Sequence, residues 1–132
     1  MDELGRARYI SLTTFKKDGT PVSCPVWVTG HGGSYEFTTG HRAWKTRRLL
    51  RNPSVRVQAC DMRGRVKPGA TRYVGTAEVM TSQEAVTGTE RALLAKYGWQ
   101  FKATRFVDGL RTRLGRHPVQ EVVAIRLSLK EG

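Results

Sequence analysis

At 132 residues, 39% of them hydrophobic and 26% charged, the chain is long enough to bury a core and too short for a two-domain enzyme, so one domain over residues 1–132 is expected. Lysine and arginine outnumber aspartate and glutamate by 23 to 11, a formal charge of +12, which steers polyanions to the surface, whether nucleic acid, an anionic membrane face or a multiply charged cofactor. No apolar run approaches the roughly 20 residues of a membrane span, and MDELGRARYI lacks a signal core, so a cytoplasmic location is expected.

Tyr9 to Phe15 alternates Ile10, Leu12 and Thr14 with Tyr9, Ser11 and Thr13, which predicts a first strand. Lys16-Lys17-Asp18-Gly19-Thr20 carries an Asp-Gly hairpin signal, so Pro21 to Thr29 is a second strand, antiparallel to the first. Pro25 cannot donate to a ladder and marks an edge, a bulge or a place where pairing stops. Backbone groups near Val26 and Trp27 then become available to a ligand; a plain edge proline that discourages aggregation is the alternative.

Gly30 to Ser34 reads as a turn and Tyr35 to Thr39 as a third strand. A helix follows from about Ala43 to Arg51, its apolar stripe made of Ala43, Thr46 and Leu50 with Leu49 beside them, and Asn52-Pro53 ends it. Val55 to Cys60 alternates again as a fourth strand. Residues 61 to 70 form a loop rich in glycine, proline and cations, and Thr71 to Met80 is a fifth strand with Gly75 as a close-approach position.

Thr81 and Glu84 have the spacing of a capping box, predicting a helix from there to Tyr97 that stops at Gly98. Ala103, Phe106, Val107, Leu110 and Leu114 recur at helical spacing, so a further helix is expected from Gln100 to Leu114. Gln120 to Leu129 closes the chain as a sixth strand. The order β-β-β-α-β-β-α-α-β lacks the rhythm of a parallel sheet and fits a closed or partly open antiparallel barrel of six strands with flanking helices. Cys24 and Cys60, with His31, His41 and His117, show no metal-ligand spacing; reduced thiols and no metal are expected.

The chemically informative stretch is YEFTTGHRAWKTRRLLRNP, residues 35 to 53. Arg42 and Lys45 fall around the first turn of the predicted helix, where the macrodipole and unpaired N–H groups already present positive charge. Cations are disfavoured there unless an anion joins them. With the hydroxyls of Thr38 and Thr39, the turn becomes a phosphate site; a solvated surface turn is the alternative reading.

YISLTTFKKDGTPVSCPVWV, YEFTTGHRAWKTRRLLRNPSVRVQACD and RYVGTAEVM, taken in that order, resemble the opening hairpin, the strand-helix-strand unit and the following strand of the pyridoxamine 5'-phosphate oxidase-like split barrels. The closest resemblance is to actinobacterial members that use the deazaflavin coenzyme F-420. It implies that Val26 and Trp27 lay their backbone along the ring system, that Thr38 and Thr39 bond the phosphate or ribityl chain, and that Lys45 pairs with the phosphate. Arg48 matches a polar cofactor contact one turn later, and Arg42 a variable loop position. It implies further a homodimer with a cofactor at each subunit junction and a small-molecule substrate.

The C-terminal stretch AIRLSLKEG lacks the R-L-x-P segment and the tryptophan of an oxidase acting on vitamin B6. The positive charge favours coenzyme F-420, with its carboxylate-bearing tail, over flavin mononucleotide (FMN), and Arg56, Arg63, Arg65, Lys67 and Arg72 offer a basic track for that tail. The resemblance thus implies hydride transfer to an unsaturated acceptor, with no acid assigned among Tyr97, His41 and Cys60. Hydrolase, P-loop and dinucleotide signatures are absent from the sequence. Two rivals remain: a basic barrel binding single-stranded nucleic acid on Trp27, Trp44 or Tyr73, and a barrel that sequesters a cofactor, haem or lipid without turnover.

Overall fold

The alternation read from the sequence is the alternation of the sheet. In the first strand Ile10, Leu12 and Thr14 are buried on one face, and in the strand over Ser54–Cys60 so are Val55, Val57 and Ala59. The computed structural model describes residues 3–98 and 122–132. Within them the elements are α1 (Glu3–Arg6), β1 (Tyr9–Phe15), β2 (Pro21–Val26), β3 (Thr29–His31), β4 (Ser34–Gly40), α2 (Trp44–Arg51), β5 (Ser54–Cys60), β6 (Tyr73–Met80), α3 (Gln83–Tyr97) and β7 (Val122–Glu131). The expected helix over residues 100–114 lies outside the described residues.

All strands join one seven-stranded antiparallel sheet in the order β2-β1-β5-β6-β7-β4-β3. Its two edges, β2 and β3, are consecutive in sequence, with only Trp27 and Val28 between them. Three peptide steps reach at most about 11 Å. The edges must therefore come together, and the sheet curls into a split barrel. Ile10, Leu12, Phe37, Val57, Ile125 and Leu127 fill it, joined by Leu4 of α1 and Leu49 of α2. Helix α3 lies outside, against β3, β4 and β7.

Seven strands replace the six expected because the segment Pro21 to Thr29 does not run through. Pairing with β1 ends at Ile10↔Val26, one residue past Pro25. The chain then crosses to the far edge, and Thr29–His31 pairs with β4 through the Gly32-Gly33 turn, both of whose residues take the positive φ (64° and 88°) that a tight hairpin demands. Proline had signalled the break; the continuation as a strand across Gly30 was hidden by the glycines.

Three local details also differ from expectation. Leu49 and Thr46 are the buried positions of α2, whereas Leu50 is 61% exposed, because the helix starts at Trp44 with Ala43 as its N-cap. Ser82, not Thr81, caps α3, its hydroxyl accepting the Ala85 N–H at 3.2 Å, so Glu84 is a first-turn acid and no reciprocal box forms. At Gly75 the close approach is real: a β-carbon there would stand 1.8 Å from the Ser128 carbonyl oxygen of β7.

Candidate functional site

Trp27 and Val28 occupy the seam where the barrel is split. Beyond the edge of β3 the ladder to β4 is replaced by side chains of α3: the Val28 N–H donates to the Tyr97 hydroxyl (3.0 Å), and the Val28 carbonyl accepts from Lys96 Nζ (2.7 Å). The single Tyr97 hydroxyl proton serves the carbonyls of Arg8 (2.9 Å) and Val28 (3.1 Å). The Trp27 indole lies flat on the Tyr97 ring, centroids 4.6 Å apart and planes 8° from parallel, with Tyr9 tilted beyond it at 6.5 Å. Burial pushes the Tyr97 phenol above its ordinary pKa, so the hydroxyl remains a proton-bearing clamp at neutral pH.

The β3–β4 register pairs Thr29 with Glu36 and Gly30 with Tyr35. That pairing stops at Thr29, and Val26, at the end of β2, pairs instead with Ile10. Of the site positions expected from the sequence, Val26 is buried at the end of β2 and half-buried Trp27 follows it in the seam, while half-buried Thr38 and Thr39 lie near the end of β4. Thr38 and Thr39 are held by pairing with Ala124 and Val123 of β7.

The fifth and sixth, Arg42 and Lys45, stand where β4 turns into α2. The turn is fixed by Ala43 N–H to the Gly40 carbonyl (3.1 Å) and by the buried Thr46 hydroxyl to the same oxygen (2.9 Å). Ala43 caps α2 with no side-chain bond, and the first turn contains no acid. The N–H groups there, exposed Arg42 and half-buried Lys45 leave this corner made of donors and positive charge, just after Thr38 and Thr39, whose side chains alternate across β4. Such a set fits a phosphate group. Arg48, the seventh, is turned away from that corner: its Nε donates to the buried Thr14 hydroxyl of β1 at 2.6 Å, pinning α2 to the barrel.

The expected basic track divides. Arg56 and Arg72 line a polar cleft of about 250 Å³ on the outer face of β2, β1 and β5, over Ser11, Thr13, Ser23 and Gln58. Arg56 also lies over the Phe15 ring at 5.3 Å. Arg65 is engaged by Asp61 at 3.0 Å, and Arg63 and Lys67 are exposed on the same loop. Burial, and then the neighbouring Asp61 carboxylate, push the Cys60 thiol up, so it is held as the protonated thiol at neutral pH. Sequence reasoning missed the α3 clamp: the bond from Val28 to Tyr97 spans 69 residues, and the only local signal was that α3 stops at Tyr97.

The seam and the donor-rich corner can be set beside known proteins. The chain resembles an F-420 reductase (19% identity over 96% of this chain and 90% of the other, TM-score 0.62). It also resembles a conserved hypothetical protein of Mycobacterium tuberculosis (20%, 94% and 74%, TM-score 0.65) and the haem storage protein HutZ of Vibrio cholerae (18%, 98% and 86%, TM-score 0.66). At such identities the likeness is one of fold. No curated protein matches. A family model described as pyridoxamine 5'-phosphate oxidase, however, matches residues 1–123, which takes in every strand up to β7, the seam and the α2 corner. Since sequence profile and fold agree over that length, the chain belongs to the pyridoxamine 5'-phosphate oxidase family of split barrels.

Proposed function

We infer that the protein is an oxidoreductase dependent on the deazaflavin F-420, passing a hydride between that cofactor and a small unsaturated organic acceptor, and working as a homodimer with a site at each subunit junction. The observation that carries this reading is the corner between β4 and α2, where uncapped N–H groups stand with Lys45 and Arg42 and no acid in the first turn, just after Thr38 and Thr39. A phosphate there receives charge-assisted bonds of the stronger kind. When bound, the deazaflavin supplies the hydride chemistry.

The chain's own residues bind and orient. Thr38, Thr39 and Lys45 hold the phosphate, and Arg42 closes on it from the turn. Val26 and Trp27 offer their backbone to the ring plane, while the Tyr97 stack keeps Trp27 from folding into the gap. Arg48 works at one remove, fixing α2 on Thr14. No side chain is assigned as proton donor.

FMN shares the phosphate but not the carboxylate tail. The chain's charge of +12 and the guanidinium pair Arg56 and Arg72 in their polar cleft favour the tailed cofactor, since more negative groups gain more from the same field. Titration by visible absorbance tests the reading. F-420 is expected to saturate the protein, with affinity falling about tenfold or more in Lys45→Ala, the loss of one charge-assisted bond, and falling more steeply with salt than FMN affinity does. Binding of FMN with no binding of F-420 transfers the site to the flavin. Retention of haem alone, seen as a Soret band, overturns the enzyme reading.

A further inference from the structure

A second concave site lies on the outward side of α2. The turn between β1 and β2 and the helix enclose a groove of about 600 Å³ lined by Lys16, Lys17, Asp18, Trp44, Arg48 and Arg51. Trp44, Arg48 and Arg51 recur at i, i+4 and i+7 and so share one face; the barrel takes the opposite face through Thr46 and Leu49 and, from this one, only the Arg48 Nε on Thr14. Trp44 leaves 71% of its surface in water, covered in part by the Arg47 guanidinium 5.1 Å above the ring. The fold makes no evident use of this indole.

Charge says what the groove would accept. Asp18 is the one acid among its lining residues, and its Oδ1 already accepts the Thr20 N–H (3.0 Å) within its own turn. Two ammonium and two guanidinium groups against one ionised carboxylate, Asp18 beside Lys16, leave a net positive rim around an apolar floor, which favours an added anion. The volume is that of a small-molecule site, about 300–1,000 Å³. An indole floor takes a flat ring by stacking, and a cationic rim takes phosphate.

We propose that this groove binds a nucleotide unit, its base on Trp44 and its phosphate among Lys16, Lys17, Arg48 and Arg51. The unit comes either from a free mononucleotide or from a single strand, and the two share the same contacts. Lys45, Thr38 and Thr39 take no part in the groove and Arg48 is the residue common to both, so Lys45→Ala separates this inference from the cofactor assignment.

The test titrates the full chain with AMP, adenosine, inorganic phosphate, a short oligothymidylate and anionic vesicles, following tryptophan fluorescence and calorimetry. AMP is expected to quench saturably, with adenosine and phosphate weaker by about tenfold or more. Trp44→Ala is expected to lose about tenfold or more, the worth of one stacked base, and the charge-reversed Lys16→Glu/Lys17→Glu variant to lose the phosphate preference. In Lys45→Ala the AMP affinity should be unchanged. An oligothymidylate that binds far more tightly than AMP, with a steep salt slope, identifies the single strand as the source; equal affinities identify the free nucleotide. The proposal is overturned if AMP and oligothymidylate both fail to bind, if only vesicles bind, if affinity survives Trp44→Ala with the charge-reversed variant unaffected, or if Lys45→Ala abolishes AMP and F-420 binding together.

Discussion

Tyr97 closes the seam with one hydroxyl and one ring. Removing the hydroxyl in Tyr97→Phe keeps the stack on Trp27 but strips the buried Val28 N–H of its acceptor. A buried donor left unpaired costs about 1–3 kcal/mol, so urea unfolding should show a loss of that size while the near-ultraviolet signal of the stacked pair persists. Gly75→Ala should be worse, because the new methyl group meets backbone, the Ser128 carbonyl at 1.8 Å, and neither strand can yield without breaking its ladder; failure to fold, or a melting point lowered by many degrees, is the expected result. Gly75 was legible in the sequence, since a glycine inside a strand signals close approach. The strand end and helix start that carry Thr38, Thr39 and Lys45 were legible too, because Gly40 breaks the strand and Asn52-Pro53 bounds the helix within a few residues. Tyr97 was not: its partners Val28 and Arg8 are remote in sequence.

Among the elements, α2 and α3 respond to substitutions that sequence periodicity alone would misplace. Ser82→Ala removes the acceptor for the Ala85 N–H and should cost about 1 kcal/mol, whereas Thr81→Ala should change stability by only a few tenths. Equal losses from both, measured by denaturant titration, would sink the assignment of the cap. In α2, Leu49→Ala empties a fully packed position and should cost about 2–5 kcal/mol, while Leu50→Ala should stay within about 0.5 kcal/mol. Adjacent leucines in an eight-residue helix look alike to a periodicity argument. What separates them is the angle at which α2 meets the barrel, set by Ala43 as the cap and by Arg48 on Thr14. Strands were easier, because a period of two with one face buried leaves little freedom.

For the whole molecule, pH and salt act in opposite senses. Burial raises the Cys60 thiol and the Tyr97 phenol in the folded state, so unfolding releases protons from them once the pH passes their unfolded values, about 8.5 and about 10. Stability should hold through neutral pH and then decline as the pH climbs; Cys60→Ala should flatten the first part of that decline. A stability that rises above pH 8.5 in the parent chain would contradict it. Added salt should raise the melting temperature, because it screens the self-repulsion of a molecule carrying +12. The barrel class followed from strand order and turn chemistry, but closure did not, since it depends on β2 and β3 being opposite edges joined by Trp27 and Val28. The same topology has a consequence for biosynthesis. Strand β7, the last of these elements to leave the ribosome, lies between β6 and β4 and alone bridges them by a ladder; until it emerges, the nascent chain holds two ribbons tied only by Trp27-Val28 and the α2 connection, and a copy cut short before Val122 cannot complete the sheet.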